Sequence, residues 1–336
     1  MNSAQPQPNP GPVSLTTDLD VAKSDLDKHG YCLVADALTP EQVEVLRTRL
    51  LEQSEAEIER GTAFRDGGNR QDLLDQSGQF KSHQVIAGDG GVNQRIFMLA
   101  NKGSCFRDLV IHPLIDDLVG HILGQDFLLS TLTANIVNPG GERMGLHTDQ
   151  WWMPQPVKPG SDYRRPANIT RHPAPEFIHP DSSLGIAPAV ATTAVWMLSD
   201  FTITNGTTEL VPGSHLSGAY PELGDKQLEY PIVQPEAPPG TLLIFDGRTW
   251  HGSGTSTGGP QRLALLSTFC APQFRQQENQ TLGLDPELWD SLSDAHKARL
   301  GYKVWNAYGR IEQEFAGYVS PTPNRVGELK PSQKSG

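Results

Sequence analysis

Met144-Gly145-Leu146-His147-Thr148-Asp149-Gln150-Trp151-Trp152 sets a histidine and a carboxylate two residues apart among apolar and aromatic neighbours. In an extended strand, residues i and i+2 point to the same side. His147 and Asp149 are therefore expected to aim an imidazole and a carboxylate at one point. Two ligands leave a metal site incomplete, so the rest of the chain has to supply a third.

The other histidines are His29, His83, His112, His121, His172, His179, His215, His251 and His296. His112 precedes Pro113 and His121 falls in a helical pattern, so both read as structural. His215 closes the turn Val211-Pro212-Gly213-Ser214 and reads as a packing residue. His251 differs in context: it follows the apolar stretch Gly240-Thr241-Leu242-Leu243-Ile244-Phe245-Asp246 and opens His251-Gly252-Ser253-Gly254. A histidine at the end of a core strand is held rigidly, and small residues after it leave room for a ligand. His147, Asp149 and His251 would form a triad of two histidines and one carboxylate, which keeps positions open on Fe(II) for oxygen chemistry.

Eleven residues later Arg262 opens the apolar stretch Leu263-Ala264-Leu265-Leu266-Ser267. A guanidinium on a core strand is costly unless it meets an anion. Two anions would serve: an internal Asp or Glu, or the far carboxylate of a 2-oxo acid chelating the metal. The planar fork suits two-point binding of either.

Outward from this centre the chain reads as helices framing a β-core. The apolar spacing predicts a helix over 19–29, stopped by Gly30, and a strand over 31–34. Thr39, Pro40 and Gln42 mark the start of a second helix that carries Val43, Leu46, Leu50 and Leu51 to about residue 60. Residues 61–93 read as a polar surface loop, 94–100 as a strand, and 106–123 as a helix with Pro113 near a turn and Gly124 as its stop. Short strands follow over 127–138, 192–200, 209–211, 240–246 and 262–270, between Gly, Pro and Asn turns. Helices over 285–292 and 293–306 close the pattern. The expected divisions are a disordered tail (1–16), one large domain holding the β-core (17–275) and a helical extension with its own tail (276–336). Inside the domain, 153–191 forms a Pro-rich insertion with Arg164, Arg165, Arg171, His172 and His179. A segment of that length is either a lid or a solvated insertion.

Totals narrow the class. The 336 residues carry a formal charge of −12 with no basic stripe, which excludes nucleic acid as the main partner. Three cysteines without a C-x-x-C pair support neither a disulfide framework nor a thiolate metal site. The first residues lack a charged n-region and an apolar h-region, and no apolar run reaches membrane-span length. A cytoplasmic protein with a small-molecule substrate is expected; its oligomeric state stays open.

These motifs resemble the phytanoyl-CoA dioxygenase family of Fe(II)/2-oxoglutarate oxygenases. The likeness runs from about residue 19 to 274. It rests on His147-Thr148-Asp149-Gln150, Asn205-Gly206 leading to Val211-Pro212-Gly213-Ser214-His215, and His251-Gly252-Ser253-Gly254 with Arg262; Gly30-Tyr31 and Thr39-Pro40-Glu41 are similar too. The resemblance implies a double-stranded β-helix (jelly roll, cupin-like) with helices on one face. It implies iron on His147, Asp149 and His251, with 2-oxoglutarate on Arg262, Ser253 and Thr193. Hydroxylation of an unactivated C–H bond would accompany decarboxylation of 2-oxoglutarate to succinate and CO2, with O2 as oxidant. Related halogenases replace the carboxylate with a small residue, so Asp149 speaks against halogenation. Desaturation, epoxidation and rearrangement share this iron chemistry and are not separated from hydroxylation by sequence. A cupin-like metal enzyme that does not use 2-oxoglutarate would have no use for Arg262.

The substrate side departs from the family. No basic surface for CoA phosphates is visible, so a lipophilic natural product or xenobiotic is as compatible as an acyl-CoA. Gln150, Trp151 and Trp152 lie just past the ligands and are the expected substrate contacts; packing of the insertion against the barrel is the alternative for the two tryptophans.

Overall fold

A computed structural model of the chain describes residues 11–67, 91–154, 156, 157, 159, 160, 165, 185–222, 224–312, 317–323 and 326–331. His83, Arg164, Arg171, His172 and His179 lie outside these residues, as does most of the 153–191 insertion. Among the described residues, eleven strands run in chain order as β1 (Leu15–Thr16), β2 (Tyr31–Val34), β3 (Phe64–Asp66), β4 (Asn93–Ile96), β5 (Leu128–Val137), β6 (Met144–His147), β7 (Ala191–Met197), β8 (Thr208–Leu210), β9 (Leu242–Asp246), β10 (His251–Ser253) and β11 (Arg262–Cys270). The α-helices are α1 (Leu19–His29), α2 (Pro40–Glu59), α3 (Ser104–Asp108), α4 (Pro113–Leu123), α5 (Gln280–Gly283) and α6 (Asp294–Leu300).

Eight strands form one sheet in the order β1-β2-β9-β7-β11-β5-β4-β3, and β6-β10-β8 form a second. Every pairing except β1–β2 is antiparallel. This is the double-stranded β-helix that the motifs imply. β7 shows how the layers are specified, because both of its faces are covered. Ala194 and Trp196 join the core under the helices, with Leu26, Leu46, Leu50, Ile115 and Leu118. Val195 and Met197 face the other way, into a cluster with Tyr31, Leu33, Leu210, Leu243 and Phe245. Leu210 belongs to the small sheet, so that second cluster is the barrel interior.

The helices begin and end where side chains satisfy their exposed backbone groups. Asp18 accepts from the amides of Asp20 and Val21 at the start of α1, and Gly30 ends it in the left-handed region. Thr39 and Gln42 form a reciprocal capping box with Pro40 in the first turn of α2. Leu51, expected on the buried stripe of α2, is exposed, because Val43, Leu46 and Leu50 already complete it.

Other boundaries shift. The helix expected over 106–123 is broken at Pro113: α3 and a 3-10 turn (Leu109–Ile111) precede it, and the His112 ring caps the new helix by accepting from Leu114 N. The last helix stops at Leu300 because Gly301 adopts φ 95°. Beyond the barrel, Glu278 binds the C-terminal stretch to its frame. Its carboxylate accepts from the amides of Met98 (2.7 Å) and Leu132 (2.9 Å) and from the Gln280 amide (3.0 Å). Among the described residues, no helix is long and apolar enough to cross a membrane.

Two substitutions test this account by urea denaturation. Leu265→Ala, at the fully buried centre of β11, is expected to cost about 2–5 kcal/mol. Thr39→Ala removes half of the capping box and is expected to cost about 1 kcal/mol.

Candidate metal centre

β10 sits between β6 and β8, and His251 stands directly opposite His147 in the antiparallel register. Their rings lie 4.3 Å apart, centre to centre. Asp149 follows β6 by two residues, and its amide donates to Gly247 O at 2.9 Å, which turns the chain back toward β9. One ligand atom from each of His147, Asp149 and His251 lies within 4.8 Å of the others. His251 Nε2 is 3.4 Å from Asp149 Oδ1, a spacing that suits neighbouring corners of one coordination shell.

Both imidazoles are set for ligation by the same device. His147 Nδ1 lies 3.0 Å from Gly145 O, and His251 Nδ1 lies 2.9 Å from Thr249 O. A carbonyl can only accept, so each Nδ1 carries the proton and each Nε2 presents its lone pair. Burial alone would push the Asp149 carboxyl up. The adjacent His251 and His147, with a hydrogen bond from Thr193, instead hold it well below the usual carboxylate range. Burial opposes a charge on His251, but the Asp149 carboxylate outweighs it and raises the ring's pKa. Two neutral-capable imidazoles and an ionised carboxylate, with no thiolate, fit a divalent first-row metal such as iron.

The glycine after His251 is a steric requirement. A Cβ on Gly252 would sit 2.3 Å from Met144 O, so only glycine lets β10 lie this close to β6. Gly30 is comparable: at φ 82°, a Cβ there would meet His215 Nδ1 and Thr249 Oγ1 at 2.5 Å. His215 is thereby a buried packing residue whose Nε2 lies 3.1 Å from Asp27 O, away from the ligand group.

Arg262 is 3% exposed, and among the described residues no carboxylate lies within ion-pair distance of it. Its Nε has no hydrogen-bond partner, and the guanidinium lies 4.8 Å from the centre of the Phe201 ring. Burial, with the charge of Arg95 adding to it, pulls its pKa down to about 9. Arg95 makes the contrast. It is also buried, but its Nε donates to Asp66 Oδ2 at 2.7 Å. The internal ion pair considered for Arg262 therefore belongs to a different arginine.

Of the other expected residues, Ser253 lies two beyond His251 on the same strand, half-buried. Thr193 Oγ1 donates to Asp149 Oδ2 at 2.6 Å. Gln150 stands apart from the group: it is buried, its Nε2 donates to Pro188 O, and its Oε1 accepts from Val190 N. Trp151 and Trp152 are half-buried, and the Trp152 ring packs against Phe274 at a tilt, 4.8 Å between centres.

Sequence reasoning missed Gln227. Its Oε1 accepts from Leu146 N (2.8 Å), and its Nε2 donates to Leu146 O (2.9 Å), as a neighbouring strand would. β6 is an edge strand of the small sheet, and this buried amide completes the hydrogen bonding of the residue before His147. No local pattern marks it, since it sits in a 3-10 turn 80 residues downstream. Tyr220 was missed too; its hydroxyl lies 2.7 Å from Met153 O and 3.1 Å from Trp151 O and pins the chain just past the ligands.

The sequence profile of the phytanoyl-CoA dioxygenase (PhyH) family matches residues 26–264, from the end of α1 into the start of β11 and across all three candidate ligands. The chain belongs to that family. Dioxygenase af480 of Aspergillus fumigatus is 27% identical over 307 residues, covering 90% of this chain and 84% of that protein. Dioxygenase ALT11 of Alternaria alternata is 25% identical over 316 residues, covering 91% and 89%. Among solved structures, the epimerase SnoN in complex with Fe3+, alpha ketoglutarate and nogalamycin RO shares the fold. Its TM-score is 0.50 at 18% identity, over 77% of this chain and 86% of that one.

Removing the amide clamp tests its role. Gln227→Leu leaves the Leu146 N–H and C=O without their partner, and is expected to lower stability by about 1–3 kcal/mol. Metal affinity should fall about 10-fold, measured by anaerobic Fe(II) titration. Unchanged metal affinity in the folded variant would remove Gln227 from the site's support.

Proposed function

We propose that the protein is a non-haem Fe(II)/2-oxoglutarate-dependent dioxygenase that hydroxylates an unactivated C–H bond of a small, natural-product-like molecule. The observation that carries this reading is Arg262. A buried guanidinium without a counter-ion costs several kcal/mol, and a dicarboxylate co-substrate would remove that cost when bound. His147 Nε2, Asp149 Oδ1 and His251 Nε2 would hold iron, which in this setting supplies dioxygen activation coupled to decarboxylation of 2-oxoglutarate to succinate and CO2.

The chain's own groups position and exclude. Carbonyls of Gly145 and Thr249 fix the two imidazoles in the tautomer that ligates. Arg262 would take the far carboxylate in two-point fashion, with the Ser253 hydroxyl beside it on the face of His251. The Phe201 ring, its centre 4.8 Å from the guanidinium carbon, lowers the local polarity around the charge and would strengthen its pairing. At the other end, Trp152, packed at a tilt against Phe274, would offer aromatic surface to an apolar substrate, with Trp151 next to it. The SnoN complex, with nogalamycin RO bound by the same fold, supports a natural-product reading over an acyl-CoA. SnoN is an epimerase, so a reaction other than hydroxylation at the same iron is the second reading.

Two measurements decide. Wild-type protein with Fe(II) and ascorbate in air should release succinate from 2-oxoglutarate, and should bind 2-oxoglutarate anaerobically; failure of both sinks the proposal. Arg262→Met should weaken 2-oxoglutarate about 100-fold, the loss of two charge-assisted hydrogen bonds at about 1.5 kcal/mol each. Metal affinity should be unchanged, and apoprotein stability equal or higher, because the buried charge has gone. A variant that unfolds while 2-oxoglutarate affinity in the folded fraction stays intact would return Arg262 to a structural role.

A further inference from the structure

The Asp149 carboxylate is held by more than its place in the loop. Thr193 Oγ1 lies 2.6 Å from Asp149 Oδ2 and 3.0 Å from Thr268 Oγ1. Thr193 and Thr268 face each other across β7 and β11. Chemistry sets the direction of this chain of hydroxyls. An ionised carboxylate only accepts, so the single Thr193 proton goes to Asp149. The contact between the two threonines then needs a proton from Thr268. The next threonine in the same cross-strand row, Thr131 opposite Thr268 on β5, is engaged elsewhere, on the Glu278 carboxylate. The order is Thr268 O–H to Thr193, then Thr193 O–H to Asp149 Oδ2.

Threonine favours strands for packing reasons alone, and valine has the same branched shape. Thr193 and Thr268 are both buried, however, and a buried hydroxyl is costly unless it is hydrogen-bonded. The relay is the use these two hydroxyls have. Its end point matters because the two carboxylate oxygens are in different places. Oδ1 faces His251 Nε2 at 3.4 Å, while Oδ2 is turned to the threonine.

We propose that Thr268 is a positioning residue for the metal centre, which acts through Thr193 to hold Asp149 as a one-oxygen ligand. This rests on the iron reading of His147, Asp149 and His251. Without the relay, Oδ2 is free to rotate toward the ion and compete for a position that 2-oxoglutarate needs. Two affinities should therefore change together, that for the metal and that for the co-substrate.

The test uses the full chain as wild type, Thr193→Val, Thr268→Val and Thr268→Ser. Each is titrated anaerobically with Fe(II), then with 2-oxoglutarate, and with Co(II) for its visible spectrum, beside the apoprotein thermal midpoint. Thr193→Val is expected to weaken metal binding about 10- to 100-fold, the usual effect of losing a partner behind a ligand. Thr268→Val should move the same way by about 3- to 10-fold, one bond further out. Both should weaken 2-oxoglutarate and change the Co(II) spectrum, and Thr268→Ser should restore wild-type behaviour. Thr268→Val with wild-type affinities and spectrum overturns the proposal, and so does Thr268→Ser failing to rescue. A wild-type chain that binds neither metal overturns the iron reading along with it, which separates the two failures.

Discussion

His147 and His251 come from positions 104 residues apart, yet they stand as direct partners in the antiparallel pairing of β6 with β10. That register is the constraint on which the site depends. Side chains alternate faces along a strand, so a slip of one residue would turn one histidine out of the barrel. The fold guards the register from both sides. Met144 O occupies the space a Cβ would need at position 252. On the outer edge of β6, the Gln227 amide takes the hydrogen-bonding place of a further strand. Gln150 does comparable work after Asp149, by holding the backbone at Pro188 and Val190.

Buried charge is met in different ways. Arg95 meets Asp66, Glu278 meets the amides of Met98 and Leu132 and the side chains of Gln280 and Thr131, and Asp149 meets two imidazoles and a hydroxyl. Arg262 meets an aromatic ring and no carboxylate among the described residues. Native interiors satisfy their buried polar groups with few exceptions. The buried Arg262 Nε, without a hydrogen-bond partner, is such an exception on a cationic side chain.

Legibility in the sequence varied with the range of the interaction involved. α1, β2 and the capped start of α2 were readable because their signals are local: apolar spacing, a capping box, a glycine stop. β5, β7, β9 and β11 were readable within a few residues, from apolar runs between turns. The end at Leu300 was placed too far along, because periodicity alone ran across it, and the turn at Pro113 was read without the full break it makes. His147, Asp149, His251 and Arg262 could be nominated together, since each carries a chemistry that is awkward without the others. Gln227, Tyr220 and Thr268 carry no such mark. A glutamine in a turn, a tyrosine in a loop and a threonine in a strand have ordinary explanations until their partners are known.

By itself, the sequence determined the inventory: a β-core with helices, two histidines and a carboxylate in suitable contexts, and an arginine out of place on an apolar strand. Those follow from residue type and near-neighbour spacing, which a chain displays before it folds. Only the tertiary structure decided which atoms face which. It put His251 opposite His147, gave Asp66 to Arg95 and left Arg262 without an acid among the described residues, and ran Thr268 through Thr193 to one oxygen of Asp149. Contacts between strands distant in sequence are set by how whole sheets pack, and that packing is a property of all the residues together.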